Sequence, residues 1–199
     1  MREAEVFVLA DRALQGVVAQ IRDDQWGMEV PANFARSETD STPTLREIVN
    51  YHAYDDAWVP DMLAGRTMAE VGEDEHKGDL LGDDPKASFA RIVERACAAA
   101  GDLDDLERTI HCSFGDFSAR DYLTQVTMFR GMRARDIARM IGVEPNLPDA
   151  LVQGMWDEIS PNAEAWRAIG VFGPRVPVPD EAPLIDRLLG LTGRDPNGF

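Results

Sequence analysis

The stretch Ser118–Gly142, SARDYLTQVTMFRGMRARDIARMIG, constrains the fold of this chain more than any other. Leu123, Val126, Ile137 and Met140 recur at helical spacing, and the two slots that complete the apolar series are held by Arg130 and Arg133. A helix that buries this stripe must bury two guanidinium groups, and an unpaired buried charge costs several kcal/mol. Any fold of the chain therefore has to supply an anion, water or a ligand to those cations.

Elsewhere the pattern is helical with clear punctuation. Residues 3–22 carry an apolar stripe from Val6 to Ile21, and the chain turns polar near Trp26-Gly27 through Pro43. Thr44-Leu45-Arg46-Glu47 is a capping box that opens a second helix closed by Gly65. The middle of that helix, Tyr51, His52, Asp55 and Asp56, is polar on the side that should be buried. Residues 66–84 are acidic and aperiodic and read as a surface loop, with His76 solvated. Asp84-Pro85 caps a third helix ending at Gly101, on whose stripe Cys97 reads as a small core residue. Thr109–Phe117 reads as a brief extended piece. Ser118 and Asp121 cap the arginine-bearing helix, and Gly142 ends it. Shorter helices are predicted from Pro148 to Ile159, around Ala163–Ile169 and from Ala182 to Leu191, with an extended proline-rich strap at 172–179.

Four helices of about twenty residues with negligible strand signal predict an all-α chain: a four-helix bundle over 1–142 and a C-terminal elaboration over 143–199, in one domain. With 36 Asp and Glu against 20 Lys and Arg, the net charge is -16, which disfavours nucleic acid and anionic membranes as partners. Two cysteines without a CxxC pair and an N-terminus charged from its second residue predict a reduced, cytoplasmic setting. No apolar run is long enough to span a bilayer. The partner expected is a small molecule, with the chain a monomer or homodimer.

Three stretches together resemble the DinB-like superfamily and, within it, the actinobacterial mycothiol-dependent maleylpyruvate isomerase family. TPTLREIVNYH with the later Leu63-Ala64-Gly65 resembles the family's second helix; RARDIARMIG resembles its H-x-W-D-L-A-R-x-x-G; and FGPRVPVPDEAPLIDRLLGLTGRDP closely matches a C-terminal motif of one branch. The resemblance implies a four-helix bundle holding a divalent metal, commonly zinc, through a histidine on helix 2 and a glutamate and histidine four apart on helix 4. The matching positions here are Tyr51, Phe129 and Arg133, and Arg135 stands at the motif's tryptophan while Asp136 matches its aspartate. Phenylalanine has no donor and arginine stays protonated, so no metal or other cofactor is expected, although zinc and mycothiol are the family's own.

The mid-bundle residues then admit two readings. Arg130 and Arg133 either pair with Asp55, Asp56 or Asp136 as a structural replacement for the lost ion, or line an anion-binding pocket with Tyr51 and His52 as proton-transfer groups. On the second reading Tyr51, His52 and Arg133 are the candidate catalytic residues and Asp55, Phe129 and Arg130 contact the ligand. The chain would bind, and isomerise or cyclise, a small anionic or partly apolar metabolite without metal. Two other functions remain open: thiol transfer or thiol-assisted isomerisation as in the family, and a non-catalytic binding protein. His111 and Cys112 are adjacent, and neighbours in sequence point apart too often to make a dyad.

Overall fold

The computed structural model describes residues 2–31, 42–113 and 115–198. Most of the polar stretch expected between Trp26 and Pro43 lies outside them. Its two ends are joined by a bridge between Glu29 and Thr44, with Val30 N donating to Pro43 O at 2.9 Å.

The described chain is mostly helical: α1 (Glu3–Val18), α2 (Leu45–Leu63), α3 (Met68–Val71), α4 (Pro85–Gly101), α5 (Ala119–Ile141), α6 (Asp149–Ile159), α7 (Ala163–Ala168) and α8 (Leu184–Leu191). The expected extended piece is an antiparallel hairpin, β1 (Thr109–Cys112) with β2 (Gly115–Ser118), in the register Ile110 to Phe117. Capping chemistry accounts for the boundaries. Thr44 N donates to Glu47 Oε2 at 2.7 Å and Glu47 N to Thr44 Oγ1 at 3.3 Å; Ala87 N donates to Asp84 Oδ1 and Asp121 N to Ser118 Oγ. Gly142 ends α5 in the left-handed conformation, φ 76°.

Two expectations change. α1 stops at Val18, and Asp23–Gln25 forms a separate 3₁₀ turn so that buried Gln25 can donate from Nε2 to Ile141 O at 3.1 Å, satisfying a carbonyl at the end of α5. The acidic segment after Gly65 is more than a surface loop. A second capping box, Thr67 with Glu70, gives it a helical turn, and Leu81 is fully buried in the core.

α1 packs along α5 and α4, and α4 along α2, whereas the backbones of α2 and α5 have little direct contact. The apolar interior falls into two ends. One gathers Leu14, Val49, Phe89 and Ile137, the other Phe7, Val59, Ile110 and Leu123. A third cluster, including Val6, Met132, Met155 and Leu188, fastens α6 and α8 to the outer side of α1 and α5. Between the two ends, at one level of α1, α2 and α5, the interior is ionic. No helix is long and apolar enough to cross a membrane among the described residues.

Candidate functional site

Arg130 is the largest fully buried side chain, and its charge is answered inside the protein. Its Nε lies 2.7 Å from Asp11 Oδ1 of α1 and donates to Asp56 Oδ1 of α2 at 2.6 Å; Nη2 also binds Asp56, and Nη1 donates to Val126 O at 3.0 Å. The guanidinium carbon sits 5.2 Å from the Phe7 ring centroid. Three helices that carry apolar residues above and below this level are thus joined by two carboxylates sharing one cation. Burial raises Asp56 to about 6, partly offset by Arg130, and burial together with the charge of Asp56 raises Asp11 well above its ordinary value. The second oxygen of Asp56 has no hydrogen-bond partner among the described residues.

The space left between α2 and α5 is a groove of about 1000 Å³. Tyr51, Tyr54, Asp55, Trp58 and Met62 form one wall, and Tyr122, Val126, Phe129 and Arg130 another. The hairpin contributes Cys112 and Phe117; the end of α6 contributes Asp157 and Glu158; Trp166, Ile169 and Val171 close the far side. The three large hydrophobic side chains noted as exposed on the described surface are Tyr51 (41%), Ile169 (76%) and Val171 (44%), and all three line this groove.

Of the residues expected to form a site, Tyr51, Asp55, Phe129 and Arg130 do share the groove. His52 and Arg133 do not line it; both are buried on other sides of α2 and α5, His52 edge-on to Tyr51 with 6.0 Å between ring centroids. Arg130 reaches the groove only as a member of its ion triad. Asp136 serves neither arginine of the stripe; it accepts from Arg194 Nη1 at 2.6 Å and lies 3.8 Å from Arg135. His76 is not solvated: its Nε2 is 3.2 Å from Asp61 Oδ2 and its ring meets Trp58 edge-on. His111 pairs with Asp116 across the hairpin at 2.8 Å, while Cys112 lines the groove with its thiol pushed up to about 11 by burial, so the two form no dyad.

Two groups escaped the sequence. Asp11 lies four residues after Phe7 and three before Leu14, so the period of α1 itself places it on the buried face. Glu158 has an oxygen, Oε1, that is shut off from solvent and has no hydrogen-bond partner among the described residues, and burial followed by the like charges of Glu3 and Asp157, against a smaller opposing effect of the amino terminus, raises the carboxyl to about 8. Nothing in the spacing of α6 signals that state.

The residues at the family's ligand positions do not fit a metal. Tyr51 is at the exposed rim, Phe129 offers no donor and Arg133 is a cation. Among the described residues no group of three or more His, Cys, Asp or Glu side chains is placed to hold an ion. Comparisons of the chain with family models, with curated proteins and with solved structures gave no match.

Proposed function

We propose that this chain is a cytoplasmic, DinB-like four-helix bundle of α1, α2, α4 and α5, akin to the maleylpyruvate isomerases, in which an internal ion triad replaces the metal and the α2–α5 groove binds a small, largely apolar molecule. The observation that carries the reading is the convergence of Tyr51, Ile169 and Val171 on one groove whose walls are already aromatic. Exposed apolar surface gathered around a concavity of this volume is what a ligand site requires.

The charge of the groove argues for a neutral or basic ligand over an anionic one. Arg130 is neutralised by Asp11 and Asp56, and Arg120 by Glu3 and Glu107, so neither guanidinium is available to a carboxylate or enolate. The same neutralisation weakens the case for mycothiol chemistry, because among the described groove residues neither arginine is left to lower a thiol's pKa. Binding is the core of the reading; isomerisation or cyclisation would use carboxyl groups on the groove wall as proton carriers.

The test is a neutral solvatochromic dye such as Nile red, titrated against the purified protein. One saturable site is expected, and Ile169→Asp or Val171→Asp should weaken it about tenfold, as a desolvated apolar contact is lost. These side chains are at the surface, so the fold should survive. A dye signal that does not saturate, or that ignores both substitutions, would overturn the groove as a binding site.

A further inference from the structure

Glu158 is the polar group of the groove whose presence the fold does not explain. It stands in the last turn of α6, lines the groove beside Asp157, and keeps Oε1 out of solvent without a hydrogen bond among the described residues. A buried acceptor left unmade costs about 1–3 kcal/mol, and a core that merely packed would have an apolar side chain there. Glu3 of α1 and Asp157 of its own helix bear on it as like charges, and the positive amino terminus of the chain opposes them with a smaller effect. Arg120 of α5, which also lines the groove, is held by Glu3 and by Glu107 at 3.2 Å. Asp121 of α5 is engaged at the helix N-cap with Ser118, and Asp157 accepts from Gln153 at 2.8 Å.

A second polar atom in the same lining is also without a hydrogen-bond partner among the described residues: the indole Nε1 of Trp58, a side chain only 5% exposed. The groove lining therefore combines aromatic faces with an indole N–H and a carboxyl oxygen that have no hydrogen-bond partner among the described residues.

We propose that Glu158 is the recognition group for a basic nitrogen, and that the ligand of the groove is a primary or secondary amine carried on an aromatic or otherwise apolar body. This rests on the groove being the binding site and names the class of molecule it takes. Burial and its acidic neighbours hold Glu158 protonated in the empty groove at neutral pH. When an alkylammonium enters, the carboxyl gives its proton to solvent and the resulting carboxylate pairs with the ammonium; no ligand bond is made or broken, and one proton is released per molecule bound. The aromatic walls, Tyr54, Tyr122, Phe129 and Trp166, then surround the cation and the apolar body.

The experiment is displacement of Nile red by 2-(1-naphthyl)ethylamine and by its neutral isostere, 1-naphthaleneethanol. The amine should bind about tenfold or more tightly than the alcohol near pH 7, the effect of one charge-assisted hydrogen bond in a shielded site. Glu158→Gln, which keeps the shape of the protonated acid, should narrow that gap to less than about twofold. Calorimetry of the unmodified protein in buffers of different ionisation enthalpy should show proton release on amine binding approaching one at about pH 6.5 and fading above about pH 8, where Glu158 is already ionised. Equal displacement by the two naphthyl compounds, a gap that survives Glu158→Gln, or binding without proton release overturns the amine assignment while leaving the groove intact. Failure of the dye itself to bind overturns both.

Discussion

Arg130 shows how a residue can be an anomaly in sequence and a keystone in the fold. Its slot on the α5 stripe made burial predictable, and Asp56 stood among the anions expected near it. Asp11 did not, because the acid of an amphipathic helix is ordinarily assigned to the wet face, although its spacing from Phe7 and Leu14 puts it on the buried one. The sequence likewise brought Tyr51, Asp55, Phe129 and Arg130 to one level but could not separate them from His52 and Arg133. A step of one residue turns a side chain by about 100°, and which neighbour wins depends on packing. The triad's energetics give a prediction at this scale. Arg130→Met alone leaves two carboxylates buried without a cation and should cost about 3–5 kcal/mol in urea unfolding. The triple variant Asp11→Leu, Asp56→Leu, Arg130→Met removes every charge and should cost less than the single change. A triple variant less stable than Arg130→Met would mean that the triad contributes more than its own desolvation.

At the scale of elements, the chain was legible where local chemistry sets the boundary. The caps at Thr44, Asp84 and Ser118, the glycine stops after α2 and α5, and the prolines of the strap all act within a few residues of themselves. The groove was not legible in this way, since its far wall comes from the end of α6, α7 and the turn after it, whose approach to α5 depends on long-range fit. The C-terminal strap shows the same division. Its extended geometry follows from its prolines, whereas its anchorage, Val176 N donating to Gly190 O at 3.0 Å and Arg167 donating to Gly173 O, joins it to α8 and α7. Gly193, which follows α8, has φ 84°, and a Cβ there would lie 2.7 Å from backbone atoms of Gly173. Gly193→Ala should therefore destabilise by about 2 kcal/mol or more, from left-handed strain plus a contact that backbone cannot yield cheaply. Gly16, exposed on α1 with nothing within 4 Å of a Cβ, is the matched control. Gly16→Ala should stabilise by about 0.5–1 kcal/mol. Equal effects of the two in urea unfolding would mean that the strap does not pack against the turn at Gly193 as described.

At the scale of the whole molecule, a net charge of -16 coexists with carboxyl groups that the fold holds toward the protonated form. Asp56 rises to about 6 and Glu158 to about 8, both through burial first, from ordinary values of 3.8 and 4.5. Folded protein thus binds protons between about pH 4 and 8 that the unfolded chain has released, so the stability these groups contribute is complete below their unfolded values and is lost as pH rises through the folded ones. Glu47 and Asp79, lowered by hydrogen bonds from Thr44 and Arg46, act in the opposite sense, their contribution disappearing only as pH falls into the carboxylate range. The two sets together place maximum stability in mildly acidic solution. The melting temperature should fall between about pH 5.5 and pH 8, and Glu158→Gln should reduce that fall, leaving the share that belongs to Asp11 and Asp56. Added salt screens the repulsion among surface carboxylates and should raise the melting temperature at both pH values without reversing the slope, because the buried groups are shielded from it. Differential scanning calorimetry across this range separates the two effects: a slope abolished by salt belongs to surface repulsion, and a slope lowered by Glu158→Gln belongs to that buried carboxyl group of the groove wall.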